Sequence, residues 1–68
     1  MMEAWQQRVV EEKKELDEKL EKLRDFLKSK AFLKLRAEDD IAASLLVEQE
    51  LAMTTYSFVL KDRIEHFK

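Results

Sequence analysis

Two cations and one tyrosine interrupt helical stripes that are mostly apolar. Lys13 lies at helical spacing between Val9 and Leu16, where a core-facing apolar residue is expected. Tyr56 and Arg63 share one stripe in the second half of the chain. Lysine and arginine hold phosphate oxygens, arginine best because its guanidinium is planar, and aromatic rings stack on nucleobases. The pattern makes nucleotide binding a candidate chemistry.

Three more residues complete this candidate set. Gln6 precedes Lys13 on the same stripe, and Arg8 and Trp5 are its neighbours in sequence. We predict an anion or nucleotide pocket between subunits, with the ligand-binding residues Lys13, Tyr56, Arg63, Arg8, Gln6 and Trp5. The alternative is a structural polar network, because a polar residue at a core position can fix helix register and oligomer state. Trp5 could equally cover the end of a helical bundle.

Residue types disfavour catalysis and metal binding. The chain has no cysteine and a single histidine, His66, so neither a Ser/His/Asp nor a Cys/His set can be assembled. A di-metal carboxylate bundle needs Glu-x-x-His motifs on inward faces, and the sequence holds none. We therefore expect no enzyme activity, no metal and no cofactor.

Composition indicates how such residues must be positioned. The 68 residues include no glycine and no proline, and 41% are charged, which is typical of long helices rather than β-hairpins or phosphate-binding loops. A chain this short buries only about 60% of its unfolded surface. Without disulfides or metal, regular helix packing with self-association is the expected source of stability.

The apolar pattern predicts an all-α single domain over residues 1–68, folded as an antiparallel two-helix hairpin. The first helix is predicted at about 3–29, the connector at about 30–37 and the second helix at about 38–67. The stripe of the first helix alternates spacings of four and three, as coiled coils do: Val9, Lys13, Leu16, Leu20, Leu23 and Leu27. A turn near residue 33 would place Lys13 opposite residues 54–57.

The second helix is apolar on more than one face. From Ile41 to Leu60 its only charges are Glu48 and Glu50. A helix that is apolar on several sides must be buried on several sides. We therefore predict a homo-oligomer assembled through the second helix, as a dimeric four-helix or a trimeric six-helix bundle.

Charge and hydropathy bear on other partners. The net charge of −2 makes nucleic acid an unexpected partner, and the apolar run 41–60 is interrupted by two glutamates, so no membrane span is expected. A cytoplasmic location in the host cell is the default. Four cations in the connector region either complement the dipole of the first helix or form a patch for phosphate or an acidic partner: Lys28, Lys30, Lys34 and Arg36.

The chain resembles a family of small phage-encoded proteins of unknown function, known by relation to a protein of a crAss-like phage. The resemblance covers nearly the whole chain. It rests on Gln7, Arg8, Val9, Glu12, Lys13, Glu15, Leu16, Asp17, Lys19, Leu20, Leu23 and Phe26, then on Met53, Tyr56, Ser57, Val59, Leu60, Arg63 and Ile64. That family carries a capping serine or proline before the acidic turn, where this chain has Arg36-Ala37.

The resemblance implies a phage origin but no activity. Small phage proteins often act against host defence, and some helical ones sequester cyclic nucleotide signals. The first hypothesis is thus a non-enzymatic phage accessory protein that sequesters a small anionic host signal at a subunit interface. The alternatives are a helical module that inhibits or adapts a host protein and a structural phage component.

Overall fold

The computed structural model describes residues 2–67 and contains three α-helices. They are α1 (Ala4–Leu27), α2 (Lys30–Glu38) and α3 (Asp40–Glu65). The all-α prediction is confirmed, since the described part of the chain contains no strand. The two long helices end within two residues of the predicted positions. The predicted connector, however, is itself a helix.

Side chains, rather than glycine, end one helix and begin the next. Ser29 Oγ donates to the Phe26 carbonyl at 2.6 Å and accepts from the Phe32 amide at 3.3 Å, which caps α2. Asp39 alone separates α2 from α3, and its Oδ1 accepts from the Ala42 amide at 3.0 Å. None of the described residues has a positive φ. The chain therefore turns without glycine because polar side chains satisfy the free amides at the helix starts.

α1 and α3 pack antiparallel, with one aromatic pair near each end of the molecule. Trp5 and Phe67 meet edge to face at 5.2 Å between ring centroids, and Phe26 and Phe32 do so at 6.1 Å. The buried apolar residues are few and come from all three helices: Val9, Leu20, Phe32, Ala43 and Leu60. The core is a thin line of contacts along a rod of 51 × 14 × 14 Å.

Much of α3 is apolar and exposed. We define its outer face by the exposed apolar residues of α3, which are Ile41, Leu45, Val47, Leu51, Phe58 and Val59, together with Tyr56; of these, Phe58 lies at the edge of the face next to α1. Ile41 is 76% exposed and Leu51 65% exposed. The second half of the chain is thus apolar on more faces than its own fold buries. Within residues 2–67, no helix has the length and hydropathy needed to cross a membrane.

Candidate functional site

A groove at the free end of the molecule brings together three of the six predicted ligand-binding residues. This end groove has a volume of about 310 Å³ and is lined by Trp5, Gln6, Arg63, His66 and Phe67. α1 supplies the first two residues, α3 supplies Arg63, and His66 and Phe67 follow the end of α3. Among the described residues, the lining contains a guanidinium, an imidazole and two aromatic rings but no carboxylate, so it suits an aromatic anion.

Two of these side chains also stabilise the fold locally. Gln6 Oε1 accepts from the Glu3 amide at 2.8 Å and so occupies one of the free donors at the start of α1. Trp5 packs against Phe67 yet stays 49% exposed, so part of the indole is open to a ligand. Gln6 is therefore fixed by the helix start, whereas Trp5 and Arg63 are the residues available for recognition.

Lys13 does not line the end groove and instead contacts Asp17, an acidic residue of the same helix. Its Nζ donates to Asp17 Oδ2 at 2.5 Å, and Asp17 Oδ1 accepts from Ser57 Oγ at 2.5 Å. The hydrogen bonds from Lys13 and then Ser57 lower the pKa of the Asp17 carboxyl, against a smaller opposing effect of burial. The lysine in the leucine stripe is thus part of a bridge that joins α1 to α3.

Tyr56 does not face Lys13. It is 43% exposed on the outer face of α3, and its neighbour Ser57 makes the contact with α1 instead. The chain reverses at Asp39 rather than near residue 33, because residues 30–38 are helical. The pairing of α1 with α3 is consequently displaced by about one helical turn from the predicted pairing. Arg8 is exposed on α1 and does not line the end groove.

A second interhelical contact was missed in the sequence. Arg24 Nε donates to Glu50 Oε1 at 3.0 Å, and its Nη2 donates to Thr54 Oγ1 at 2.8 Å. The hydrogen bond from Arg24 lowers the pKa of the Glu50 carboxyl, with burial opposing it and Thr54 adding to the lowering. Arg24 directly follows Leu23, which belongs to the apolar stripe of α1. Because a charged residue beside such a stripe is usually solvated, the sequence pattern did not indicate this contact.

Both contacts border a larger groove between α1 and α3. This central groove has a volume of about 550 Å³ and is lined by Lys13, Asp17, Leu20, Glu21, Arg24, Asp25, Lys28, Thr54, Ser57 and Phe58. Its three cations are matched by three acids, and two of the cations already bind carboxylates of the chain. An added anion would have to displace these internal partners. The balance of charge therefore favours the end groove over the central groove as an anion site.

The described residues offer no further site, either at the connector cations or at a cluster of metal-ligating side chains. Arg36 lies over the Phe32 ring at 5.4 Å from its centroid, which is a cation–π contact within α2. Among the described residues, no group of histidine, aspartate and glutamate side chains is arranged to hold a metal ion.

Comparison with known proteins identifies the family. No curated protein and no solved structure matches the chain. The profile of one family, described as Sequestin, matches residues 3–66, which includes all three helices. The chain therefore belongs to the Sequestin family.

Proposed function

We propose that this chain is a non-enzymatic phage accessory protein that acts in counter-defence by sequestering a small anionic host signal, such as a cyclic nucleotide. The observation that carries the proposal is the end groove, where exposed Trp5 and Arg63 border a pocket to which the described residues contribute no carboxylate. The family name also refers to sequestration. A protein that removes a signal in the host cytoplasm needs a binding site but no catalytic group.

The chemistry of the groove suits a nucleotide. A guanidinium binds phosphate oxygens through two parallel N–H donors, and it keeps its charge at every physiological pH. The free part of the Trp5 indole offers a surface on which a base can stack, worth about 1–3 kcal/mol per base. Arg63 is also two turns from Tyr56 along α3. A second subunit on the outer face of α3 would therefore border the groove, as a ligand site at a subunit interface requires.

Calorimetric titration against cyclic and linear nucleotides tests the proposal. One class of nucleotide should bind, and Arg63→Gln should weaken its binding at least tenfold while leaving the circular dichroism spectrum unchanged. Lys61→Gln is the matched control, because it removes one exposed cation from the same turn of α3 outside the groove. Absence of heat from every nucleotide, with the protein shown to be folded, would refute the proposal.

The apolar outer face of α3 favours a second candidate, a helical module that inhibits or adapts a host protein. Exposed apolar patches of this kind commonly mark protein interfaces. A folded protein that binds no nucleotide but copurifies with one host protein in stoichiometric amount would support this candidate over the first. Recovery of the chain in purified virions would instead support a structural phage component.

A further inference from the structure

The outer face of α3 has the spacing of a helix–helix seam. Alternate steps of four and three residues run along its centre: Ile41, Leu45, Glu48, Ala52, Thr55, Val59 and Asp62. In a coiled coil such a row faces a partner helix and is mostly apolar; this row is mixed, with four apolar residues (Ile41, Leu45, Ala52 and Val59) and three polar ones (Glu48, Thr55 and Asp62). Leu51 and Phe58 flank the seam on one side and Tyr56 on the other. The small residues Ala52 and Thr55 lie at the middle, where two helices can approach most closely.

The surface area of the chain indicates that something covers this seam. The accessible surface is 5584 Å², whereas a compact monomer of this length exposes about 4,500 Å². The excess, about 1,100 Å², is larger than the roughly 800 Å² that each partner buries in a standard protein interface. The radius of gyration, 15.4 Å, likewise exceeds the value of about 11 Å expected for a compact chain of this length.

The core is thin, which indicates that a partner on the outer face of α3 is needed for folding. Only five side chains of the described residues are apolar and fully buried, and one of these is an alanine. A core of that size supplies little of the burial that offsets chain entropy. A second copy of the chain brings an identical seam and therefore supplies the missing burial without any other partner.

We propose that the outer face of α3 docks on the same face of a second copy, with the two α3 helices antiparallel and Ala52 of each copy packed against Thr55 of the other. The Ala52–Thr55 layers lie near the midpoint of α3 (Asp40–Glu65), so the two helices overlap over almost their full length. The result is a two-fold bundle with α3 inside and α1 outside. Self-complementary packing of one patch on itself is what a two-fold interface requires.

Charge selects the antiparallel direction. Parallel helices would place Glu48 against Glu48 of the second copy and Asp62 against its equivalent, and like charges directly opposite are destabilising. In the antiparallel register the two Glu48 residues lie about 16 Å apart along the axis, beyond the Debye length of about 8 Å. Each Glu48 then lies about one helical turn from Arg63 of the second copy. The antiparallel helix dipoles also attract one another.

Oligomer mass and one intersubunit distance test the dimer without any nucleotide, so its failure is separable from failure of the sequestration proposal. Sedimentation equilibrium at micromolar concentration should give the mass of two chains. Because the chain has no cysteine, Glu65→Cys accepts a single spin label near the end of α3. The antiparallel register predicts labels about 35 Å apart along the axis. A monomer, a trimer or labels adjacent to each other would overturn the proposal.

Two leucine substitutions provide a matched control for the surface itself. Leu51 is 65% exposed beside the seam and Leu33 is 63% exposed on α2. Leu51→Asp should weaken the dimer at least tenfold, because it buries a carboxylate in an apolar contact. Leu33→Asp should leave the dimer intact. Equal behaviour of the two variants would contradict docking through the outer face of α3, and the label distance in the Glu65→Cys protein decides the case if Leu51→Asp does not fold.

Discussion

Asp17 on α1 and Ser57 on α3 are 40 residues apart in sequence, yet Ser57 Oγ lies 2.5 Å from Asp17 Oδ1. Lys13 binds the other oxygen of the same carboxylate. One side chain thus joins two helices and at the same time neutralises the lysine that interrupts the apolar stripe of α1.

Loss of the Ser57 hydroxyl should weaken the pairing of α1 with α3. Ser57→Ala removes a hydrogen bond to a charged group that is partly exposed, and we expect the free energy of unfolding to fall by about 1 kcal/mol. Urea denaturation measures the change. Ser44→Ala, on the exposed part of the same helix, should change stability by less than about 0.5 kcal/mol. Equal losses in both variants would show that the Asp17–Ser57 contact adds nothing.

Acid should weaken the same contacts. The pKa of Asp17 lies below its usual 3.8 and that of Glu50 below its usual 4.5. A carboxyl with a lowered pKa in the folded state contributes stability above its unfolded pKa, and this contribution disappears as the pH falls through the folded value. Denaturation midpoints should therefore be steady near neutral pH and drop below about pH 4.5. The double variant Asp17→Asn, Glu50→Gln should show a shallower drop, and an unchanged slope would contradict these assignments.

Asp39 should matter more than its acidic neighbour. Asp39→Ala removes the cap at the start of α3 and should cost about 1 kcal/mol of stability. Asp40→Ala leaves that cap in place and loses only a favourable interaction with the helix dipole, about 0.3–1 kcal/mol. Thermal unfolding followed by circular dichroism gives both values. A larger effect at Asp40 would show that the cap is not what holds the start of α3.

Two adjacent apolar residues of α3 should respond differently to protein concentration. Leu60 is fully buried within one chain, so Leu60→Ala should cost about 2–5 kcal/mol. Val59 is 49% exposed in one chain and lies on the proposed seam. Val59→Ala should therefore lower the melting temperature most at low protein concentration, where dimers dissociate. A concentration-independent effect at Val59 would argue that its environment is set within one chain.

Helix positions followed from the sequence because apolar spacing and the lack of glycine and proline each favour long helices. The predicted connector at about 30–37 is a separate helix for a local reason. Residues 30–38 contain good helix formers such as Lys30, Ala31 and Leu35, and Ser29 provides the cap that lets a separate helix start. A prediction that treats this short charged segment as a single turn does not include α2 as a third helix.

The candidate site was harder to predict because it depends on helix register. Trp5, Gln6 and Arg63 lie together in the end groove, because they are near the free ends of both long helices, where a displacement of one turn matters least. Lys13 lies near Ser57, which is within the predicted range 54–57, but Tyr56 is on the outer face, because the rotation of α3 about its axis decides which of these residues faces α1. Register comes from packing across the core, which helical periodicity alone does not determine.

The single-residue joint at Asp39 also bears on domain swapping. The backbone there departs from helical geometry at one residue only, with φ −150° and ψ 84°. If those two torsions become helical, α2 and α3 merge into one continuous rod and α1 swings away from its own α3. The freed arm can then pack on a neighbouring chain, so domain swapping requires rearrangement at only one residue.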